Sequence, residues 1–154
     1  PMISKFGARI MSLDEPNVKM SKSNPNDHSK ICILDSNDKI KKTIMRATTD
    51  SESVISYDEI NKPGISNLLT IHSTLSGESI DDLVNKFEGQ GYGNLKKELV
   101  EVVTSELDPI KARYEQLLKD ETSIEILKNG KEKANPIAEN VLKKVKEKVG
   151  FVNI

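Results

Sequence analysis

The chain has 154 residues, 36% of them apolar and 31% charged, with a net charge of −1. That length holds one domain, or one domain plus part of another, and the balance supports a packed core under a wet, charged surface. Aromatics make up only 4% and tryptophan is absent, which argues against single-strand nucleic-acid platforms built on exposed aromatic rows.

Pro1-Met2 is an odd natural start, and the expectation is a piece of something longer. Residues 8–13 are a short apolar-rich stretch that reads as a strand end. It feeds Lys19-Met20-Ser21-Lys22-Ser23, in which two lysines three apart and two hydroxyls share five residues. Pro16, Pro25, Asn17, Asn24 and Asn26 surround this segment and predict a mobile loop, not a helix. A loop carrying clustered ammonium and hydroxyl donors suits polyphosphate; the bland alternative is a solvated lysine loop. His28 reads as a turn residue that could approach a phosphate.

Ile31-Cys32-Ile33-Leu34 is too short an apolar run to assign. Cys32 is the chain's single cysteine and reads as a small buried residue, so no internal disulfide is possible and a reducing cytoplasm fits. Asp35-Ser36-Asn37-Asp38 then opens a predicted helix over 37–47. Residues 48–63 form a connector ended by Lys62-Pro63-Gly64. The next helix carries Ile65, Leu68, Leu69, His72 and Leu75 on one stripe and ends at Gly77; His72 reads as a hydrogen-bonded, semi-buried residue and not as a ligand. Ser79-Ile80-Asp81-Asp82 resembles a capping box, and Gly89 stops that helix. Gly91-Tyr92-Gly93 reads as a tight turn.

A long apolar period follows from Leu95 to Leu118, and Pro109 inside it predicts a bend or split near Asp108. Thr122-Ser123-Ile124-Glu125 reads as another capping box, with a break at Asn129-Gly130. The last predicted helix covers 132–149, with Ala134, Ile137, Ala138, Val141, Leu142, Val145 and Val149 as its stripe and Gly150 as its stop. Lys143, Lys144, Lys146 and Lys148 crowd its end, where they suit the helix dipole and could also meet a phosphate backbone. No apolar run spans a membrane, and the first residues carry no charged head before an apolar core. Charge is uneven: +4 over 1–49, −8 over 50–110 and +3 over 111–154. Basic ends around an acidic middle suggest local anion-facing surfaces, but on charge alone plain solvation of the helices is the favoured reading.

These elements predict a mainly α fold, a small antiparallel bundle of four to six helices. The first stretch, 1–35, does not fit the bundle and is expected to be the edge of an absent Rossmann-like α/β domain, with 36–154 as the helical domain.

Lys-Met-Ser-Lys-Ser resembles the second signature of class I aminoacyl-tRNA synthetases. The preceding Gly7-Ala8-Arg9-Ile10-Met11-Ser12-Leu13 and Pro16 resemble the approach to it in bacterial-type tryptophanyl-tRNA synthetases. The resemblance continues through Thr49-Asp50-Ser51, Lys62-Pro63-Gly64-Ile65-Ser66-Asn67-Leu68-Leu69, Gly91-Tyr92-Gly93 and Lys133-Ala134-Asn135, and so covers essentially the whole chain. It departs at Asn24, where the family often has Asp.

The resemblance implies a ligase that activates tryptophan with ATP and Mg2+ and transfers it to tRNA(Trp). It implies Lys19 and Lys22 as the catalytic cations at the departing pyrophosphate, Ile10, Met20, Ser21 and Ser23 as further ATP-binding residues, and Arg9 as a lesser phosphate candidate. It assigns the helices to the anticodon end of the tRNA, with Lys111, Arg113, Lys143, Lys144 and Lys146 as candidate contacts. Full-length members are cytoplasmic homodimers. The family's first signature, a His-x-Gly-His type turn, does not occur in this chain, and the tryptophan pocket belongs with it. The chain alone is therefore expected to bind ATP weakly and to be inactive. Tyrosine is the nearest rival amino acid. The alternatives from other classes are a stand-alone helical RNA-binding module with a vestigial signature loop and a helical interaction bundle without a ligand.

Overall fold

A computed structural model describes residues 7–151. Pro1-Met2, the basis for expecting a longer parent, lies outside them. The mainly helical class is as expected: the described residues hold five α-helices, one 3-10 turn at Asp27–Ser29 and a single isolated β-bridge. The helices are α1 (Asn37–Arg46), α2 (Pro63–Ser76), α3 (Ile80–Lys86), α4 (Tyr92–Lys119) and α5 (Thr122–Val149). None is long and apolar enough to cross a membrane. The chain forms two compact units, Pro1–Lys111 and Ala112–Ile154.

In the first unit, local chemistry sets the helix ends. The Ser36 hydroxyl accepts from Lys39 N at the start of α1, and the Ser79 hydroxyl accepts from Asp82 N at the start of α3. Pro63 occupies the first turn of α2, where its missing N–H costs nothing. Gly77 closes α2 in the left-handed region at φ +78°. The core joins Ile40 and Ile44 of α1, Ile65, Leu68 and Leu69 of α2, Leu83 of α3, and Leu95 and Leu99 of α4. Leu13 belongs to the same core, so the segment before the loop packs directly on the helices. Gly64 lies where a Cβ would come within 2.2 Å of the Thr48 carbonyl oxygen, and this close approach brings α2 against the connector.

Several expected boundaries shift. Gly91-Tyr92-Gly93 is not a free turn: Tyr92 and Gly93 already belong to α4, because the Tyr92 ring is buried in the core. α4 is not split at Pro109. The proline is exposed and removes a single helical N–H, a local loss that a 28-residue helix absorbs. Asp108 does not cap a second helix; its carboxylate takes Lys111 Nζ at 3.0 Å and Asn37 Nδ2 at 3.2 Å.

In the second unit, α5 runs unbroken through Gly130 and Pro136. Its start has no side-chain cap; Glu121 sits at φ +50° instead. Ile124, Ile126 and Leu127 are exposed, as are Ile137, Val141, Leu142 and Val145, so the stripe read as a packed face is uncovered. Gly150 ends α5 at φ +84°, as expected.

Candidate functional site

The loop that carries Lys19 and Lys22 grows from a short ladder. Met11 and Lys19 form the antiparallel bridge. On either side of it, Met20 N donates to Ile10 O at 3.1 Å and Ser12 N donates to Val18 O at 2.7 Å. A turn closes the far end, with Val18 N on Glu15 O at 2.8 Å. The strand end expected at 8–13 is thus reduced to this one isolated bridge with a hydrogen bond on either side of it.

Other elements hold this ladder from behind. Leu13 N donates to Ser29 O at 3.0 Å, and Leu13 O accepts from Thr48 N at 2.8 Å. The Thr48 hydroxyl donates to Asp14 O at 2.8 Å. The Asp14 carboxylate accepts from the Ser12 hydroxyl and from Asn26 Nδ2. The Ser12 hydroxyl, and with it the Asn26 amide and nearby backbone N–H groups, holds the Asp14 carboxyl below its ordinary range. The Asn67 side chain reaches from α2 to Met11: its Oδ1 accepts from Met11 N and its Nδ2 donates to Met11 O, both at 2.9 Å.

Beyond the ladder the loop faces solvent. Lys19, Ser21, Lys22 and Ser23 are all exposed. The Ser21 and Ser23 hydroxyls lie 3.0 Å apart, and Asn24 N donates to Ser21 O at 3.3 Å. Asn24 Oδ1 receives Asn26 N at 2.9 Å, the Asx turn its sequence predicts. Among the described residues neither Lys19 nor Lys22 has a carboxylate partner, whereas Lys30, Lys39, Lys62, Lys86 and Lys111 all do. Lys19 on the bridge, and Ser21, Lys22 and Ser23 on the turn beyond it, are the kinds of donor that a multiply charged anion attracts.

Ile10 and Met20 share an apolar groove of about 200 Å³ with Ile31, Ile33, Ile71, Leu75, Val103 and Leu107. The Ile10 carbonyl is not free, since Met20 N occupies it. Arg9 lines a separate cleft of about 400 Å³ with Asn17, Tyr57, Glu59, Asn67 and Thr70. His28 turns away from phosphate duty: its Nε2 lies 3.2 Å from Arg46 Nη1.

The candidate RNA-facing cations differ in their immediate partners. Lys111 spends its donors on Asn37 Oδ1 at 2.5 Å and on Asp108. Arg113 is exposed and holds Gln116 Oε1 at 2.9 Å. Lys143, Lys144 and Lys146 are exposed on α5. His72 is fully buried, with Ser76 Oγ and Glu98 Oε1 each at 3.2 Å, and Glu98 is in turn paired with Lys86 at 2.6 Å. His72 and Glu98, with Glu78, come close enough to hold a metal ion, but the Lys86 ammonium already bridges the two carboxylates, at 2.6 Å from Glu98 and 3.3 Å from Glu78.

Sequence reasoning missed two groups. One is Asn67, whose signal was a polar amide inside the buried run Ile65-Ser66-Asn67-Leu68-Leu69; such an amide has to find partners. The other is Tyr92, whose hydroxyl donates to Asp50 Oδ1 at 2.6 Å and lies 3.1 Å from Val54 O. Burial, and then the Asp50 carboxylate, push the Tyr92 hydroxyl up. Burial alone would raise Asp50, but the Tyr92 hydroxyl, the Glu52 N–H and Lys62 outweigh it and hold the carboxyl low. This knot ties the connector to α4.

Comparison with known proteins places the chain in a family. The family model "tRNA synthetases class I (W and Y)" matches residues 2–108. A tryptophan–tRNA ligase of Caldanaerobacter subterraneus subsp. tengcongensis is 52% identical over 152 residues, which is 99% of this chain and 46% of that protein. The Bacillus subtilis tryptophan–tRNA ligase is 48% identical over 149 residues, 97% of this chain and 45% of its own length. Among solved structures, the Campylobacter jejuni tryptophanyl-tRNA synthetase complexed with ADP and tryptophan superposes with a TM-score of 0.73 at 31% identity, covering 93% of this chain and 44% of that one. The Mycoplasma pneumoniae enzyme gives a TM-score of 0.71 at 31% identity, covering 96% and 45%. The chain thus spans about half the length of the curated relatives it matches.

Proposed function

From a chain that belongs to the class I tRNA synthetase family of W and Y, we propose the following role: it is the signature-loop and helical portion of a cytoplasmic tryptophan–tRNA ligase. Residues 1–35 serve as the end of the catalytic domain and 36–154 as the tRNA-binding part, although Leu13 and the helices share one core. The whole ligase joins tryptophan to ATP as an adenylate, passes it to tRNA(Trp), and works as a homodimer. Magnesium arrives on the ATP phosphates as part of the substrate.

The observation that carries this reading is the exposed Lys19, Ser21, Lys22 and Ser23, whose two ammonium groups lack carboxylate partners among the described residues, on a ladder tied to the helices. Activation moves negative charge onto departing pyrophosphate, and cations that meet that charge in the transition state lower the barrier. Lys22 and Lys19 take the β- and γ-phosphates, and Ser21 and Ser23 hydrogen-bond around them. Ile10 and Met20 offer an apolar wall to the adenine ring at the groove they share. Lys111 is engaged within the chain, so the tRNA face rests on Arg113 and on Lys143, Lys144 and Lys146. Those α5 lysines also favour the second reading, a helical RNA-binding module.

The test is tryptophan-dependent ATP–pyrophosphate exchange in the whole ligase. Lys19→Met with Lys22→Met is expected to lower the rate by on the order of 10² or more; an unchanged rate refutes the clamp. Exchange by this chain alone stays at background. Lys143→Glu with Lys144→Glu should weaken tRNA binding and flatten its salt dependence. An unaltered salt slope returns these lysines to solvation, and tRNA binding with an inert loop selects the second reading.

A further inference from the structure

We infer that Asn67 of α2 is a positioning residue for the Lys19/Lys22 clamp, acting through the backbone of Met11; the inference rests on the ligase reading above. Residues 10–12 have two edges. One pairs with 18–20 through the Met11–Lys19 bridge and its flanking hydrogen bonds. On the other edge, where a sheet would place a further strand, stands the Asn67 side-chain amide. It satisfies both Met11 N and Met11 O at 2.9 Å, the donor–acceptor pair that a neighbouring strand supplies. Three residues per strand form a marginal ladder in water. A third partner on a rigid element completes it.

Asn67 is itself immobilised. It is 6% exposed, on a helix whose Ile65, Leu68 and Leu69 are at most 1% exposed. The first turn of that helix rests on the Thr48 backbone at Gly64, and Thr48 also grips Leu13 and Asp14. The backbone that precedes Lys19 is thereby set by the helical body, while the loop beyond it stays exposed. A clamp that works by meeting charge in the transition state depends on where its cations stand, and displacements near 1 Å cost rate steeply. Both polar atoms of the Asn67 amide are taken up by Met11, so its effect is expected on turnover and not on tryptophan binding.

Asn67→Asp keeps the shape and changes one atom from donor to acceptor. At neutral pH the new carboxylate opposes Met11 O with a bare oxygen. When protonated, its O–H restores the lost donor. Facing a carbonyl in a buried place, that carboxyl holds its proton to higher pH than usual. The first experiment is residue-resolved amide hydrogen exchange on the full 154-residue chain. Expected are tenfold or faster exchange at Met11 and Met20 at pH 7.5, recovery toward pH 5, and unchanged protection at Leu69 and Leu99. Asn67→Ala, which brings no charge, must give the same local loss without the pH rescue. Unchanged protection at Met11 and Met20, or a uniform loss across the core, overturns the inference.

The second experiment is pyrophosphate exchange in the whole ligase. Asn67→Asp should lower kcat at least tenfold with KM for tryptophan unchanged, and Lys19→Met/Lys22→Met is run alongside. If the lysine variant loses exchange but the Asn67 variants do not, the inference fails and the ligase reading stands. If the lysine variant keeps full exchange, the ligase reading fails whatever the amide data show.

Discussion

Gly64→Ala provides a sharp test of how the helices support the loop, because two effects of known sign oppose each other there. Alanine is the better helix former by about 1 kcal/mol, which favours the variant. Against this, the new Cβ would lie 2.2 Å from Thr48 O and 3.1 Å from Thr48 C and Thr49 Cα. Carbon contacts are comfortable near roughly 3.5 Å, so helix and connector must part by about 1 Å. Neither side yields readily. Gly64 and Ile65 are buried, and Thr48 is fixed by its bonds to Leu13 O and Asp14 O, both 2.8 Å. Overpacking of this kind costs about 1–3 kcal/mol, and each strained hydrogen bond adds about 1 kcal/mol. The net is a destabilisation of about 1–3 kcal/mol, read as a fall in Tm of roughly 3–10 °C. Gly93→Ala is the control. It lies in the first turn of α4 with nothing within 4 Å of its added Cβ, so it should be neutral or raise Tm slightly. Thermal and urea unfolding of both variants decide the matter. If Gly64→Ala is as stable as the parent, the close approach of α2 to Thr48 is not real, and the support argued for the loop goes with it.

Two further expectations concern groups that pin the first unit. Tyr92→Phe removes the hydroxyl that donates to Asp50 Oδ1 and should cost about 1 kcal/mol in urea unfolding, the worth of one hydrogen bond to a carboxylate that keeps the Glu52 N–H and Lys62. An effect below about 0.5 kcal/mol would contradict the proposed knot. Asp14 has a folded pKa held below its ordinary value of 3.8, chiefly by the Ser12 hydroxyl. Its contribution is therefore complete above about pH 5 and is lost as pH falls through the folded value. Urea midpoints measured from pH 6 to pH 2.5 should decline in the parent chain below about pH 4, with a shallower decline in Asp14→Asn. Equal slopes would remove Asp14 from the set of groups that tie down the loop.

The sequence by itself determined the family resemblance and most of the helices. Lys19-Met20-Ser21-Lys22-Ser23 is enough to raise the proposed anion site, because charge, hydroxyls and turn formers are local properties that need no fold to be read. Ser36, Ser79, Pro63 and Gly77 mark helix ends for the same reason, and the structure places them there. Where a rule depends on surroundings, local reading failed. Pro109 and Gly130 predict breaks, yet their costs are small beside the summed hydrogen bonding of 28-residue helices. Tyr92 looked like part of a turn until the core took its ring.

Only tertiary structure decided how the loop is held. Asn67 and Met11 are 56 residues apart, and so no period or spacing connects them. Their bonds exist because α2 is buried with its amide facing a backbone that has two polar groups to satisfy. Thr48 reaches Asp14 across 34 residues for the same reason. Burial forces such pairings, and burial is a property of the folded whole.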